Sequence, residues 1–128
     1  MNLGTGKLIN IWLNTVITLI ILMVFVGGLT RLTESGLSIT EWQIISGIIP
    51  PLNEVSWQEL FAKYQKIPEF IIDNPDMMLS DFKQIFWLEY FHRLLGRLTG
   101  LVIIIPALLL LFTSERSLSS KGSALNKI

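Results

Sequence analysis

The chain has 128 residues, 51% of them hydrophobic and 16% charged, with 10 basic and 10 acidic side chains and a formal net charge of +0. A soluble domain carries about 25% charged residues, so this deficit, together with a mean hydropathy of +0.56, points to a membrane protein. Balanced charge removes the basic field that nucleic-acid binding needs, and the lack of cysteine excludes disulfides, thiolate metal sites and cysteine nucleophiles.

Lys7 and Arg31 bracket an uncharged run from Leu8 to Thr30. Crossing a bilayer takes roughly 20 apolar residues, so the run predicts a first transmembrane helix over residues 8–29. The alternative is a cleaved secretory signal. Its apolar core would be about 7–15 residues and would end in a small-residue cleavage site. This run is longer, and Gly27-Gly28 matches such a site poorly.

Residues 31–88 read as a mixed, mostly aqueous segment. Thr33, Ser35, Gly36 and Ser38 mark a turn. Ser38-Ile39-Thr40-Glu41 and Ser56-Trp57-Gln58-Glu59 both fit the capping box, in which serine and glutamate satisfy free N–H groups at a helix start. They predict short helices over 39–46 and 57–66, ended by Gly47 with Pro50-Pro51 and by Pro68. Trp57, Leu60, Phe61 and Tyr64 form an apolar stripe at helical spacing. Such a stripe packs on protein or lies at the bilayer surface.

A long final helix is predicted over 81–112, with Ser80 as N-cap, Asp81 on the favourable end of the helix dipole, and residues 94–112 in the membrane. Pro106 predicts a kink. Residues 113–128, rich in serine, are expected to be a disordered polar tail. Arg116, Lys121 and Lys127 face only Glu115 there. The positive-inside rule then puts both termini inside and the 31–88 loop outside.

Residues three and four apart share a helix face. Glu89, His92, Gly96 and Gly100 therefore line one face that runs from the interface into the membrane, with Arg93 and Arg97 on an adjacent stripe. A neutral imidazole is an iron ligand. Glycines below it leave room for a flat ring, and the arginine fork suits the carboxylates of such a ring. Glu89 can orient the histidine or act as a base. Ordinary readings stand beside this one. His92 can be a polar anchor, Gly96 and Gly100 a GxxxG helix-packing pair, and Glu89 with Arg93 an i,i+4 ion pair.

The chain resembles the N-terminal part of heme A synthase, in the longer branch of proteobacteria and mitochondria. The matching stretches run from Gly27-Gly28-Leu29-Thr30-Arg31-Leu32-Thr33-Glu34-Ser35-Gly36-Leu37-Ser38 through Trp42, Gly47, Pro50-Pro51, Trp57, Phe61, Tyr64, Pro68-Glu69 and Phe82-Lys83. Glu89-Tyr90-Phe91-His92-Arg93 with Gly96-Arg97 completes them. The resemblance implies an all-α fold: two transmembrane helices from an eight-helix bundle, joined by a long extracytoplasmic loop with short helices, in the cell inner membrane. It implies oxidation of the heme O methyl group to the formyl group of heme A, for terminal oxidase assembly. Heme b is then the cofactor and heme O the substrate. His92 is implied as the iron ligand, Glu89 as the acidic catalytic residue associated with it, and Arg93, Gly96, Arg97 and Gly100 as cofactor-binding. Implied partners are lipid, the other helices of a heme A synthase or a split second half, and heme O synthase.

The chain departs from the family pattern by ending after two helices, so a facing histidine is missing and inactivity alone is expected. The alternative is a non-catalytic two-helix remnant or assembly subunit.

Overall fold

The structure, a computed structural model, describes residues 3–41 and 46–125. Its helices are α1 (Leu3–Leu32), α2 (Glu54–Tyr64), α3 (Pro68–Asp73) and α4 (Leu79–Leu125), with a 3-10 turn at Ser46–Ile48 and no strand among the described residues. The fold is all-α. Gly4–Leu32 and Leu79–Phe112 are each long and apolar enough to cross a membrane.

By contacts the chain divides into two units: Met1–Leu19 with Arg97–Ile128, and Ile20–Gly96. In the first, the Trp12 indole N–H donates to the Val102 carbonyl at 2.6 Å. Val102 lies four residues before Pro106, which lies inside α4. Proline has no N–H, so it leaves that carbonyl without its helical donor. In a membrane such a group must find another partner, and Trp12 provides it. Thr15 and Thr18 satisfy their hydroxyls on the α1 carbonyls of Ile11 and Asn14.

In the second unit, α1 ends in a Schellman motif. The Ser35 N–H donates to Thr30 O at 2.9 Å and the Glu34 N–H to Arg31 O at 3.3 Å, while Glu34 takes the left-handed conformation with φ 52. Glycine usually fills that position. The turn carries the chain back so that Ser35 and Ser38 are fully buried.

The core of this unit is aromatic. Trp57 and Tyr64 of α2 pack on Phe82, Phe86 and Tyr90, spaced four apart on α4. Trp57 meets Phe86 edge-on at 4.9 Å, and Tyr64 lies 5.2 Å from Phe82. Each such pair adds about 0.5–1.5 kcal/mol beyond its buried area. Of the two fates open to the Trp57–Tyr64 stripe, packing on protein is the one observed. Tyr90 also donates its hydroxyl to Ile48 O at 2.6 Å, fastening the 3-10 turn to α4.

Several boundaries differ from expectation. Residues 39–41 are not helical, because the Ser38 hydroxyl and the Ile39 N–H are both spent on Glu89 rather than on a cap; residues 42–45 of that expected helix lie outside the described residues. Helix α2 starts one turn early because Asn53, not Ser56, is the N-cap, with its side chain accepting from the Ser56 N–H at 2.8 Å. Pro68 separates helices as expected but also opens one, at the first-turn position of α3 where its missing N–H costs nothing. Ser80 lies inside the first turn of α4. The Asp81 carboxylate instead accepts the Met78 N–H just before it, at 3.3 Å. At the far end α4 continues through Leu125 in place of the irregular tail expected from residue 113. No proline or glycine interrupts residues 107–121, and an established helix propagates easily.

Candidate functional site

Helix α4 brings Glu89, His92, Arg93 and Gly96 to the end of α1, all within the unit Ile20–Gly96. Glu89 is 3% exposed. A buried carboxylate is tolerated only when its oxygens are well paired, and here both are. Oε2 accepts from the Ser38 hydroxyl at 2.6 Å and from the Ile39 N–H at 2.7 Å. Oε1 accepts from Arg93 Nε at 2.9 Å and also meets Nη2. Arg93 Nη2 donates onward to Ile39 O at 3.0 Å. The cluster locks residues 38–39 onto α4. The ion pair read from the sequence is thus present, but as one edge of a larger clamp. None of these bonds reaches His92.

His92 is half-buried, and the tip of its ring faces Gly27 of α1. A Cβ built on Gly27 would stand 3.2 Å from His92 Nε2 and 3.5 Å from Cε1. One turn further into the helix pair the sizes reverse: a Cβ on Gly96 would stand 3.5 Å from Met23 Cε. Four residues back along α1 match four residues on along α4, so the helices run antiparallel with a small residue opposite a large one at each step. The face of α4 that carries His92 and Gly96 is therefore turned toward α1. Of the Gly96–Gly100 packing pair read from the sequence, Gly96 alone lies close to a side chain of α1.

Arg97 and Gly100 belong to the other unit. Arg97 is half-buried, and nothing lies within 4 Å of a Cβ built on Gly100.

A second polar group sits around α2 and α3. Tyr64 is fully buried, and burial, followed by the Glu69 charge, raises its hydroxyl pKa. The Glu69 carboxyl is also raised, first by burial and then by Glu34, Asp73 and Glu89.

Sequence reasoning misses two participants. Ser38 reads as a helix cap, yet a carboxylate at a membrane entry needs donors, and the neighbouring serine-rich turn is where donors occur. Gly27 reads as a poor match to a cleavage site and as the start of the stretch that carries the family resemblance, with no partner named for it. Paired glycines at the end of an apolar helix also signal a close approach, as happens here at Gly27.

A family model described as cytochrome oxidase assembly protein, COX15-CtaA, matches residues 10–126. The chain is similar to the heme A synthase of Caulobacter vibrioides, 53% identical over 105 residues, covering 82% of this chain and 31% of that protein. It is 50% identical over 121 residues to the heme A synthase of Nitrosospira multiformis, covering 93% of this chain and 34% of that protein. The heme A synthase of Roseobacter denitrificans is 54% identical over 99 residues, 77% of this chain and 26% of that protein. The chain thus spans about a third of the length of the curated relatives it matches. No solved structure matches it.

Proposed function

The chain belongs to the cytochrome oxidase assembly protein family, and from that membership we propose that it is the N-terminal segment of a heme A synthase that supplies one iron ligand, His92. The single observation that carries this reading is the seat of the chain's one histidine, half-buried at the end of α1 in a gap that a single Cβ would fill. His92 would be the residue that holds the iron, and this close seat on α1 would fix the orientation that a ligand imidazole needs. Bound heme would supply an iron centre for the oxidation of a methyl to a formyl group. With water as the source of the oxygen atom, that conversion releases protons and electrons, so it needs an electron acceptor in addition to this chain. The segment works with the remaining helices of a heme A synthase, with heme O as substrate and heme b as cofactor.

In this reading Glu89 is the acidic group beside the ligand. With both oxygens held, its first effect is to fix residues 38–39 and Arg93. Proton exchange through Glu89 requires one of those donors to let go. Arg93 can meet a propionate only while shared with Glu89 and Ile39, which makes Arg97 the alternative partner. The site lies on the outer side of the inner membrane, with the 31–88 loop extracytoplasmic. Lipid and the remaining helices cover the apolar faces, for the most apolar stretch of α1 buries none of its residues. Heme O synthase is the candidate donor of substrate.

The test is a chimera. The matched part of the Caulobacter vibrioides protein is replaced by residues of this chain, and heme A is extracted from membranes of cells lacking their own synthase. Heme A formation that His92→Ala abolishes supports the proposal. A chimera that inserts stably yet forms no heme A overturns it.

A further inference from the structure

We propose that Gly27 is the positioning residue for His92: by presenting no side chain, it lets the imidazole rest against α1 and fixes where the ring nitrogens stand. The consequence for heme rests on the ligand reading above, whereas the contact itself does not. A glycine inside a helix costs about 0.5–1 kcal/mol relative to alanine, so its presence needs a reason. Backbone conformation is not that reason, since no glycine among the described residues has a positive φ. Close approach is. A Cβ at 27 would stand 3.2 Å from Nε2, whereas a Cβ at the adjacent Gly28 meets nothing within 4 Å. Exchanging the two ends of the imidazole edge in a ring flip changes little, because Nε2 and Cε1 both face Gly27.

The helices cannot simply separate to admit a side chain. On α4, Glu89 and Arg93 flank His92; Glu89 is bonded to Ser38 and Ile39, and Arg93 to the Ile39 carbonyl, in the segment that continues from the end of α1. On α1, the Gly27 carbonyl accepts the Thr30 hydroxyl at 2.8 Å. With both backbones held, a methyl at 27 displaces the softest element present, the imidazole about its side-chain torsions. Disturbing the surroundings of a metal ligand costs about 10–100-fold in affinity.

His92 is the only histidine, so its imidazole gives a single resolvable set of NMR resonances in the intact chain in detergent micelles, with no heme present. Gly27→Ala is expected to shift those resonances, and Gly28→Ala to leave them in place. In the chimera, titrated with hemin, Gly27→Ala is expected to weaken the low-spin heme band about 10-fold or more, with Gly28→Ala unchanged. A double-mutant cycle guards against a general folding defect: Gly27→Ala should lower stability with His92 present and not in a His92→Ala background. Resonances that do not move in Gly27→Ala, or that move while hemin affinity stays the same, overturn the proposal. If His92→Ala itself leaves hemin binding unchanged, the ligand reading fails separately, and the resonances and the cycle still decide whether Gly27 seats the ring.

Discussion

Removing the Trp12 indole N–H should expose the cost of Pro106. The Val102 carbonyl accepts that N–H at 2.6 Å, and Pro106 denies it any donor from its own helix. Trp12→Phe keeps an aromatic ring but strands the carbonyl. An unsatisfied buried acceptor costs about 1–3 kcal/mol, and measured bonds between membrane helices run from about 0.6 to 2 kcal/mol. The substitution also removes indole area, so a single mutant cannot separate the two effects. Pro106→Ala separates them, because it restores a backbone N–H to the Val102 carbonyl and leaves Trp12 with only its packing. Trp12→Phe should therefore cost about 0.6–2 kcal/mol less in the Pro106→Ala background than in the natural one. The assay is reversible unfolding in mixed micelles of increasing dodecyl sulfate, followed by far-ultraviolet circular dichroism because tryptophan fluorescence changes with the mutation itself. Equal costs in the two backgrounds would show that the bond carries no stability and that the reasoning is wrong.

Glu34→Gly should stabilise the chain by about 0.5–1 kcal/mol, because a left-handed non-glycine residue costs more than the added backbone freedom of glycine; a thermal melt that falls would contradict this. Ser38→Ala removes a 2.6 Å bond to a buried carboxylate and should cost about 1.5–3 kcal/mol, read as faster proteolysis between α1 and α2, while an unchanged cleavage rate counts against the clamp. Glu69→Gln tests the half-buried carboxyl of α3. Its folded pKa is raised, so the folded state binds the proton more tightly than the unfolded one. Stability from this group is then full below the ordinary carboxylate pKa and is lost as pH rises through the folded value. Glu69→Gln should melt higher than the natural chain near neutral pH and equally at acid pH; a difference that grows on acidification would reverse the assigned sign.

What is legible in the sequence follows the range of the interactions involved. Uncharged runs and helical spacing are local, and they suffice for α1, the membrane part of α4 and the Trp57–Tyr64 stripe. Caps are local too, but Asn53 and Ser56 both qualify as N-caps and only the fold chooses between them. Helix α3 escapes a sequence reading because Pro68 signals an end and a beginning equally well. The clamp on Glu89 is invisible there because Ser38 lies 51 residues away, and nothing in either segment names the other. Helical spacing places Glu89, His92 and Arg93 on one turn, as observed, but which groups they touch depends on α1 folding back over them. The same holds for Gly96, which meets Met23 once the antiparallel pairing of α1 and α4 exists.

The claim that His92 binds iron is tested most directly by visible absorption. The chain is assembled with the remaining helices of a heme A synthase relative in detergent, and hemin is titrated into the natural and His92→Ala forms at equal helix content. The account predicts a low-spin spectrum that is lost from the N-terminal half in His92→Ala. An identical low-spin spectrum in both forms would contradict it.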